Sequence, residues 1–171
     1  LEFYFEAYQE HNGRMWAGKL GLEGFNPGDE GLVTELTSIL QRVETDMTIF
    51  FRMLSTIRRP DVDHLRFAFY NEDAIPEDEW NDWLGKWWDR VNEKPDQEKM
   101  RSSNPKYVLR NWMAQLAIDA AEKEDYSVAI ELYELLKRPY DEQTEFESRW
   151  FNKRPEWARH RVGCSMLSCS S

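Results

Sequence analysis

Cysteine is nearly absent from this chain, and both of its cysteines, Cys164 and Cys169, lie within the last eight of 171 residues. Two cysteines cannot build the disulfide framework of a small secreted domain. A structural zinc site needs four ligands, and the nearest histidine, His160, leaves that set incomplete, so we expect no metal there. Thiol chemistry is therefore confined to the end of the sequence.

Long apolar runs and an excess of positive charge are also lacking. No segment approaches the roughly 18 to 20 apolar residues that span a bilayer, so we expect no membrane partner. The net charge is −10, from 32 acidic and 22 basic residues. Such a charge argues against a nucleic-acid partner, because that affinity depends on Lys and Arg displacing counterions. The length and the 41% hydrophobic fraction suit one folded domain.

The chain begins at Leu1 rather than at a methionine, and aromatic residues follow at once in helical register. A start this apolar is typical of a fragment cut from a longer protein, and we expect the chain to be one. The pattern predicts a first helix over residues 2–22. Its predicted buried side consists of Phe5, Tyr8, Met15, Trp16 and Leu20.

Further helix signals follow along the first half of the chain. Asp29 and Asp46 are the predicted N-caps of a second and a third helix. Over residues 58–76 the helical periodicity is lost, and we predict a loop or an irregular crossing there. Pro76 opens a fourth helix, whose tryptophan-rich stripe is predicted to lie in the core. That stripe consists of Trp80, Trp83, Leu84, Trp87 and Val91.

The clearest helix signal is Asn104–Pro105, with Asn as the N-cap and Pro at the first helical position. Apolar residues then repeat on one face through Ala121. After a turn at Glu124–Asp125, a further helix is predicted to end before Pro139. Because no convincing alternating strand pattern is present, we predict an all-α fold class.

Motifs for catalysis are scarce. The glycine-rich stretch at 18–24, GKLGLEG, lacks the Gly-Lys-Ser/Thr ending of a phosphate-binding loop and follows no predicted strand. Asp61, Asp63 and His64 could supply metal ligands, but nothing nearby completes a shell. The other histidines, His11 and His160, lie far away in sequence. The residues themselves therefore favour no chemistry outside the two thiols.

Two hypotheses remain from the residues alone. Ala117–Leu136 reads like the helix-turn-helix of a tetratricopeptide unit and predicts a protein-binding module, although a repeat of this kind should recur and no second copy is present. The alternative is a structural and redox appendix to an enzyme whose catalytic part lies upstream. A basic run over 149–161 is either a solvated tail or a segment that lies against an acidic surface.

Several motifs resemble a known family. In order and spacing they resemble the C-terminal part of the selenoprotein O/YdiU family of pseudokinases, and the resemblance covers essentially the whole chain. The motifs are AGKLGL at 17–22, FRML at 51–54, NPKYVLRNWMAQLAIDAAEKED at 104–125, RPY at 138–140, RPEWA at 154–158 and SCSS at 168–171.

The resemblance implies an architecture and an enzyme. Residues 1–138 would be a helical region, the end of a kinase-like C-lobe and its extension, and residues 139–171 an irregular, partly extended tail. The family binds ATP and Mg and transfers AMP to Ser, Thr or Tyr hydroxyls of protein substrates. Those catalytic and cofactor residues belong to an N-terminal half. This sequence has no glycine-rich loop over phosphates and no DFG-like triplet, so no catalytic residue is carried over and no cofactor is expected to bind here.

One functional position does carry over from the resemblance. Cys169 is third from the end, where family members have a selenocysteine or a cysteine, and this implies a redox link to the upstream kinase-like core as partner. Cys164 lies outside the shared SCSS ending and is a second redox candidate without that match. A local Cys164–Cys169 disulfide is the alternative. The implied compartment is mitochondrial for a eukaryotic source and cytoplasmic for a bacterial one.

Overall fold

The computed structural model describes residues 2–161 and Cys164, and helices dominate this part of the chain. Between the described residues, β structure is limited to one isolated antiparallel bridge that joins Thr45 to Phe69. The predicted all-α class is confirmed. The α-helices are α1 (Glu2–Leu20), α2 (Asp29–Leu40), α3 (Met47–Leu54), α4 (Glu77–Arg90), α5 (Gln97–Ser103), α6 (Asn111–Ala121), α7 (Ser127–Leu136), α8 (Thr144–Trp150) and α9 (Glu156–Arg159), with 3₁₀ helices at Val62–Ala68 and Glu72–Ala74.

The backbone forms two compact units, unit 1 (Leu1–Asn104) and unit 2 (Pro105–Ser171). The boundary predicted at residue 138 separates a helical region from a tail, and it stays a prediction. The short helices α8 and α9 lie beyond that boundary, with irregular backbone between them. Nowhere in the described part of the chain is a helix both long enough and apolar enough to cross a membrane.

The core of unit 1 is built on the tryptophan stripe of α4. Trp80, Trp83 and Trp87 are fully buried, as the sequence pattern predicted. The ring of Trp80 lies 5.2 Å from that of Phe50 and 5.4 Å from that of Phe69, measured between centroids. These tilted contacts are the geometry that aromatic rings prefer. Helix α4 thus shares one aromatic core with α3 and with Phe69, the residue that follows the 3₁₀ helix at Val62–Ala68.

Two of these tryptophans also bond to the backbone of other helices. The indole N–H of Trp83 donates to the carbonyl of Leu32 at 2.8 Å, and that of Trp87 donates to the carbonyl of Leu20 at 2.9 Å. Leu32 lies in α2, which packs beside α4, and Leu20 is the last residue of α1. The tryptophans therefore fix the positions of α1 and α2 while satisfying their own buried donors.

The predicted buried side of α1 is wrong for three of its five residues. Phe5, Tyr8 and Met15 are 59%, 58% and 41% exposed, whereas Leu20 is fully buried. Trp16 is half-buried. Apolar residues occur on more than one side of this helix, so periodicity could not identify the side that packs within unit 1.

The helix predicted from Asn104 begins seven residues later, at α6. The side chain of Asn104 lies at the end of α1, where its amide donates to the carbonyl of Lys19 at 3.0 Å. The N–H groups of Lys106 and Tyr107 both donate to the carbonyl of Pro139, at 2.8 and 3.1 Å, instead of entering a helix. Long-range partners thus override the local N-cap signal. The helix end predicted before Pro139 is confirmed, since α7 stops at Leu136.

The two predicted aspartate caps have different outcomes. Asp46 is the N-cap of α3, and its carboxylate accepts from the N–H of Ile49 at 3.1 Å. Asp29 is instead the first residue of α2, with Gly28 at the N-cap position. The irregular crossing predicted over 58–76 contains the two 3₁₀ helices.

The carboxylate of Asp29 holds the end of α4 against the start of α2. It accepts from the N–H of Asn26 at 2.6 Å and from Arg90 Nε and Nη2 at 2.6 and 2.9 Å. Only 4% of the Asp29 side chain is exposed. Burial acts to raise the pKa of Asp29, but the bonds from Arg90 and Asn26 outweigh it and lower that pKa below its usual value.

We expect Asp29→Asn to lower the free energy of unfolding by about 1.5 to 3 kcal/mol at pH 7, because Arg90 loses its charged partner. A carboxyl whose folded pKa is depressed stabilises the fold above its unfolded pKa of about 4, and this contribution disappears as the pH falls through the folded pKa. The difference in the free energy of unfolding between the variant and the wild type should therefore shrink towards zero below about pH 4. Urea unfolding curves at several pH values measure it. Asp73→Asn, at an exposed position, is the control, and a difference that stays constant down to pH 3 would contradict this explanation.

Candidate functional site

The AGKLGL motif at 17–22, which overlaps the glycine-rich stretch, lies where α1 ends against α5. A Cβ on Gly18 would come within 2.5 Å of Ser103 Oγ, so the two helices approach closely only because this residue is glycine. Gly21 has φ +67°, and the N–H of Leu22 donates back to the carbonyl of Ala17 at 2.9 Å. This is a glycine-terminated helix end. A phosphate-binding loop instead leads into a helix N-terminus, so the stretch does not fit a nucleotide.

Lys19 and Asn104, from two different motifs, bond to each other at this helix end. Lys19 Nζ donates to Asn104 Oδ1 at 3.2 Å and lies 4.5 Å from the centroid of the Phe51 ring. Asn104 is only 1% exposed. Burial lowers the pKa of Lys19. Both side chains use their polar groups within unit 1.

Arg52 of the FRML motif completes this cluster. Its guanidinium is buried and donates to the carbonyls of Arg101 and Asn104, each at 3.2 Å. Carbonyls at a helix C-terminus lack helical N–H partners and carry partial negative charge, which a cation satisfies. We call Lys19, Arg52 and Asn104 the helix-end cluster. Its hydrogen bonds close the ends of α1 and α5.

In unit 2, Lys106 is the most deeply buried cation, with 4% of its side chain exposed. Its ammonium donates to Glu147 Oε2 at 2.8 Å and to Glu142 Oε2 and carbonyl oxygen, each at 3.0 Å. Burial acts to lower the pKa of Lys106, but the bonds to Glu147 and Glu142 outweigh it and raise that pKa. A nucleophilic lysine needs a lowered pKa, so the raised pKa of Lys106 suits a structural ion pair.

Cys164 lies inside the apolar cluster of unit 2. It is a free thiol and only 2% exposed, and its Sγ lies 3.9 Å from the carbonyl oxygen of Asn111. The surrounding cluster includes Trp112, Met113 and Trp150. Buried cysteines in apolar surroundings are inert. The other predicted redox residue, Cys169, lies outside the described residues.

Two arginines of the basic run pair with acidic side chains of α6 and α7. Arg161 makes two bonds of 2.6 Å to the carboxylate of Asp119, and Arg149 lies 2.9 Å from Glu131 Oε1. The bonds from Arg161 lower the pKa of Asp119. These two arginines therefore lie against acidic side chains, as one of the two interpretations of the basic run predicted. Both acidic side chains belong to unit 2.

The remaining candidate ligands take part in local turns. The carboxylate of Asp61 accepts from the N–H of Asp63 at 3.0 Å and from Arg59. His64 Nε2 lies 3.0 Å from Thr56 Oγ1. Over residues 2–161 and Cys164, no group of three or more His, Cys, Asp or Glu is arranged to hold a metal ion. The helix-end cluster was not predicted as a site, because its members are far apart in sequence.

We expect the Cys164 thiol to resist alkylation in the folded protein. In the Cys169→Ser variant, where Cys164 is the remaining cysteine, iodoacetamide should react roughly a hundredfold more slowly in native buffer than in guanidinium chloride, because reaction requires local opening of unit 2. Mass spectrometry of the alkylated chain measures both rates. The reference is Ser127→Cys in a chain with Cys164→Ala and Cys169→Ser, since position 127 is exposed. Equal rates for the two thiols would show that Cys164 is open to exchange.

Comparison with known families gives a match over most of the chain. The model of the family described as Protein adenylyltransferase SelO matches residues 1–137. Among curated proteins, the Protein nucleotidyltransferase YdiU of Flavobacterium johnsoniae is 47% identical over all of this chain and 35% of its own length. The proteins of the same name from Aromatoleum aromaticum and Rhodopirellula baltica are 46% and 45% identical, again over the whole chain and over 34% and 36% of their lengths.

The chain thus spans about a third of the length of the curated relatives it matches. The family model covers more than half of the chain, and it includes the residues of the helix-end cluster and Lys106. Three of the six motifs on which the resemblance rested, those at 17–22, 51–54 and 104–125, lie inside this match. The chain belongs to the Protein adenylyltransferase SelO family.

Proposed function

We propose that this chain is the non-catalytic helical portion of a protein adenylyltransferase with a kinase-like fold, which transfers AMP from ATP to Ser, Thr or Tyr hydroxyls of protein substrates. The observation that carries the proposal is the match itself: relatives named nucleotidyltransferase resemble this chain along its whole length, yet two thirds of their length lies outside it. The role of the chain is then to support a catalytic portion that it does not contain.

The chemistry of the described side chains supports this division. Arg52 and Asn104 of the helix-end cluster donate hydrogen bonds to backbone carbonyls. Lys106 donates to the carboxylate of Glu147. The AGKLGL motif ends a helix instead of leading into one. We therefore propose that ATP and Mg bind to residues outside this chain, and we attribute no step of AMP transfer to the residues described here.

Labelled ATP tests the proposal. The longer gene product that contains this chain should transfer radioactivity to protein from ATP labelled at the α-phosphate, and none from ATP labelled at the γ-phosphate, because AMP and not phosphate is transferred. The γ-labelled nucleotide is the matched control. Transfer from γ-labelled ATP would indicate a kinase, and transfer from neither would exclude a transferase.

We further propose that Cys169 regulates this activity through a reversible disulfide with a cysteine outside this chain. Two thiols would lose two protons and two electrons to a disulfide oxidant such as oxidised glutathione, which is reduced to two thiols. The burial of Cys164 supports Cys169 as the partner, since an inert thiol does not compete. The compartment, mitochondrial or cytoplasmic according to the source, stays a prediction.

Mass spectrometry of the non-reduced longer protein tests this pairing. After treatment with oxidised glutathione, a peptide containing Cys169 should be joined to a peptide from outside residues 1–171, and the link should persist in the Cys164→Ser variant. A Cys164–Cys169 link in its place would favour the local disulfide. Finding neither link would refute the redox role.

A protein-binding module without catalysis is the second candidate. It is favoured by the hairpin of α6 and α7, in which Ile130 and Tyr133 of α7 remain 61% and 66% exposed. Exposed apolar residues on a helical hairpin suit a protein ligand. The labelled-ATP experiment separates the two functions, because a pure binding module would transfer no label.

A further inference from the structure

Helix α1 is apolar on two opposite sides. One side is packed within unit 1 and includes Gly13, Ala17 and Leu20. The opposite side presents Tyr4, Tyr8, His11 and Met15, which fall on one stripe because they are spaced by four, three and four residues. Tyr4, Tyr8 and Met15 are 73%, 58% and 41% exposed. We call these four residues the α1 stripe.

The stripe has no carboxylate, although the chain has 32 acidic residues. The acidic residues near the middle of α1, Glu6 and Glu10, lie on the other side of the helix, where Glu10 pairs with Arg14. A helix face in water is normally charged, and a helix that is apolar all round is normally buried. The composition of the stripe is therefore that of a covered surface.

Two neighbouring residues widen this apolar surface. Phe3 and Phe5 flank the stripe and are 84% and 59% exposed. Contiguous exposed aromatic residues of this kind mark interaction sites rather than ordinary solvent-facing surface. Five large apolar side chains in the first four turns of one helix thus lack cover from the described residues of the chain.

We infer that the α1 stripe packs against the polypeptide of the longer family protein that lies outside residues 1–171. This inference rests on the proposed function, that the chain is part of such a protein. The family match begins at residue 1 and so includes the stripe, and about two thirds of each relative's length lies outside this chain. That missing length is ample to supply a covering surface.

The chemistry of the stripe defines the surface that covers it. The surface is apolar along its centre, where it meets the aromatic rings and the Met15 thioether. At its edge it offers hydrogen-bond acceptors to the tyrosine hydroxyls, which need partners when buried. It needs no cluster of basic residues, because the stripe has no negative charge to neutralise. An intramolecular domain contact has this character.

Methionine oxidation in the longer protein tests the inference. Met15 and Met47 are 41% and 45% exposed in this chain, so they form a matched pair within one molecule. Hydrogen peroxide should oxidise Met15 at least about fivefold more slowly in the native longer protein than in guanidinium chloride, because a covered thioether reacts slowly. Peptide mass spectrometry measures the rates, and Met47, which is equally exposed in this chain but lies outside the α1 stripe, is compared in the same spectra.

Each result of the oxidation experiment identifies what covers the α1 stripe. Protection of Met15 that is independent of protein concentration supports the contact within one chain. Protection that is lost on dilution would assign the stripe to a second copy of the protein and overturn the inference. Oxidation of Met15 in the native protein as fast as in guanidinium chloride would show that nothing covers the stripe.

A pair of tyrosine variants provides a second measurement. Tyr8 and Tyr126 are 58% and 59% exposed in this chain. In the longer protein, Tyr8→Lys should lower the melting temperature by about 5 °C, because it places a charge in an apolar contact. Tyr126→Lys is the matched control for a lysine at an exposed tyrosine. An unchanged melting temperature for Tyr8→Lys would overturn the inference. If α-labelled ATP still reports AMP transfer while Met15 reacts freely, only the contact fails and the proposed function stands.

Discussion

The closure of helix ends by buried side-chain donors is the constraint on which unit 1 depends. Carbonyls at the ends of α1 and α5 lie in buried or partly buried positions, where they need donors to replace their missing helical partners. Asn104, Arg52 and Trp87 supply the donors. Each of these bonds also joins elements far apart in sequence, so the same groups that satisfy the backbone hold the helices together. Unpaired, such carbonyls would each cost about 1 to 3 kcal/mol.

This dependence gives several motifs of this chain a structural role. AGKLGL and FRML meet Asn104 in space through Lys19 and Arg52, although more than 80 residues separate the first motif from Asn104. Their glycines, asparagine and arginine are types that only a close helix crossing or an unpaired carbonyl requires. A catalytic reading of GKLGLEG would have mistaken a helix end for a phosphate cradle.

What the sequence could predict depended on how local the signal was. The tryptophan stripe of α4 was predicted well, because its charged residues leave one apolar side. Asp46 was predicted as a cap because its partner Ile49 lies three residues away. Asn104 failed as an N-cap because its partner Lys19 lies 85 residues away, and the side of α1 that packs could not be read from a helix with two apolar sides. The redox assignment of Cys169 came only from the family resemblance, since nothing in spacing or composition distinguishes it from Cys164.

The two kinds of ion pair in unit 2 differ in their response to ionic strength. The ammonium of Lys106 is 4% exposed, whereas the side chains of Arg161 and Asp119 are 43% and 29% exposed. Salt screens exposed charges far more than buried ones. Concentrated salt should therefore loosen the contact of Arg161 with α6 and leave the Lys106 network closed. Ionic strength would thus change how firmly Arg161 is held against α6 without opening the buried contacts of Lys106.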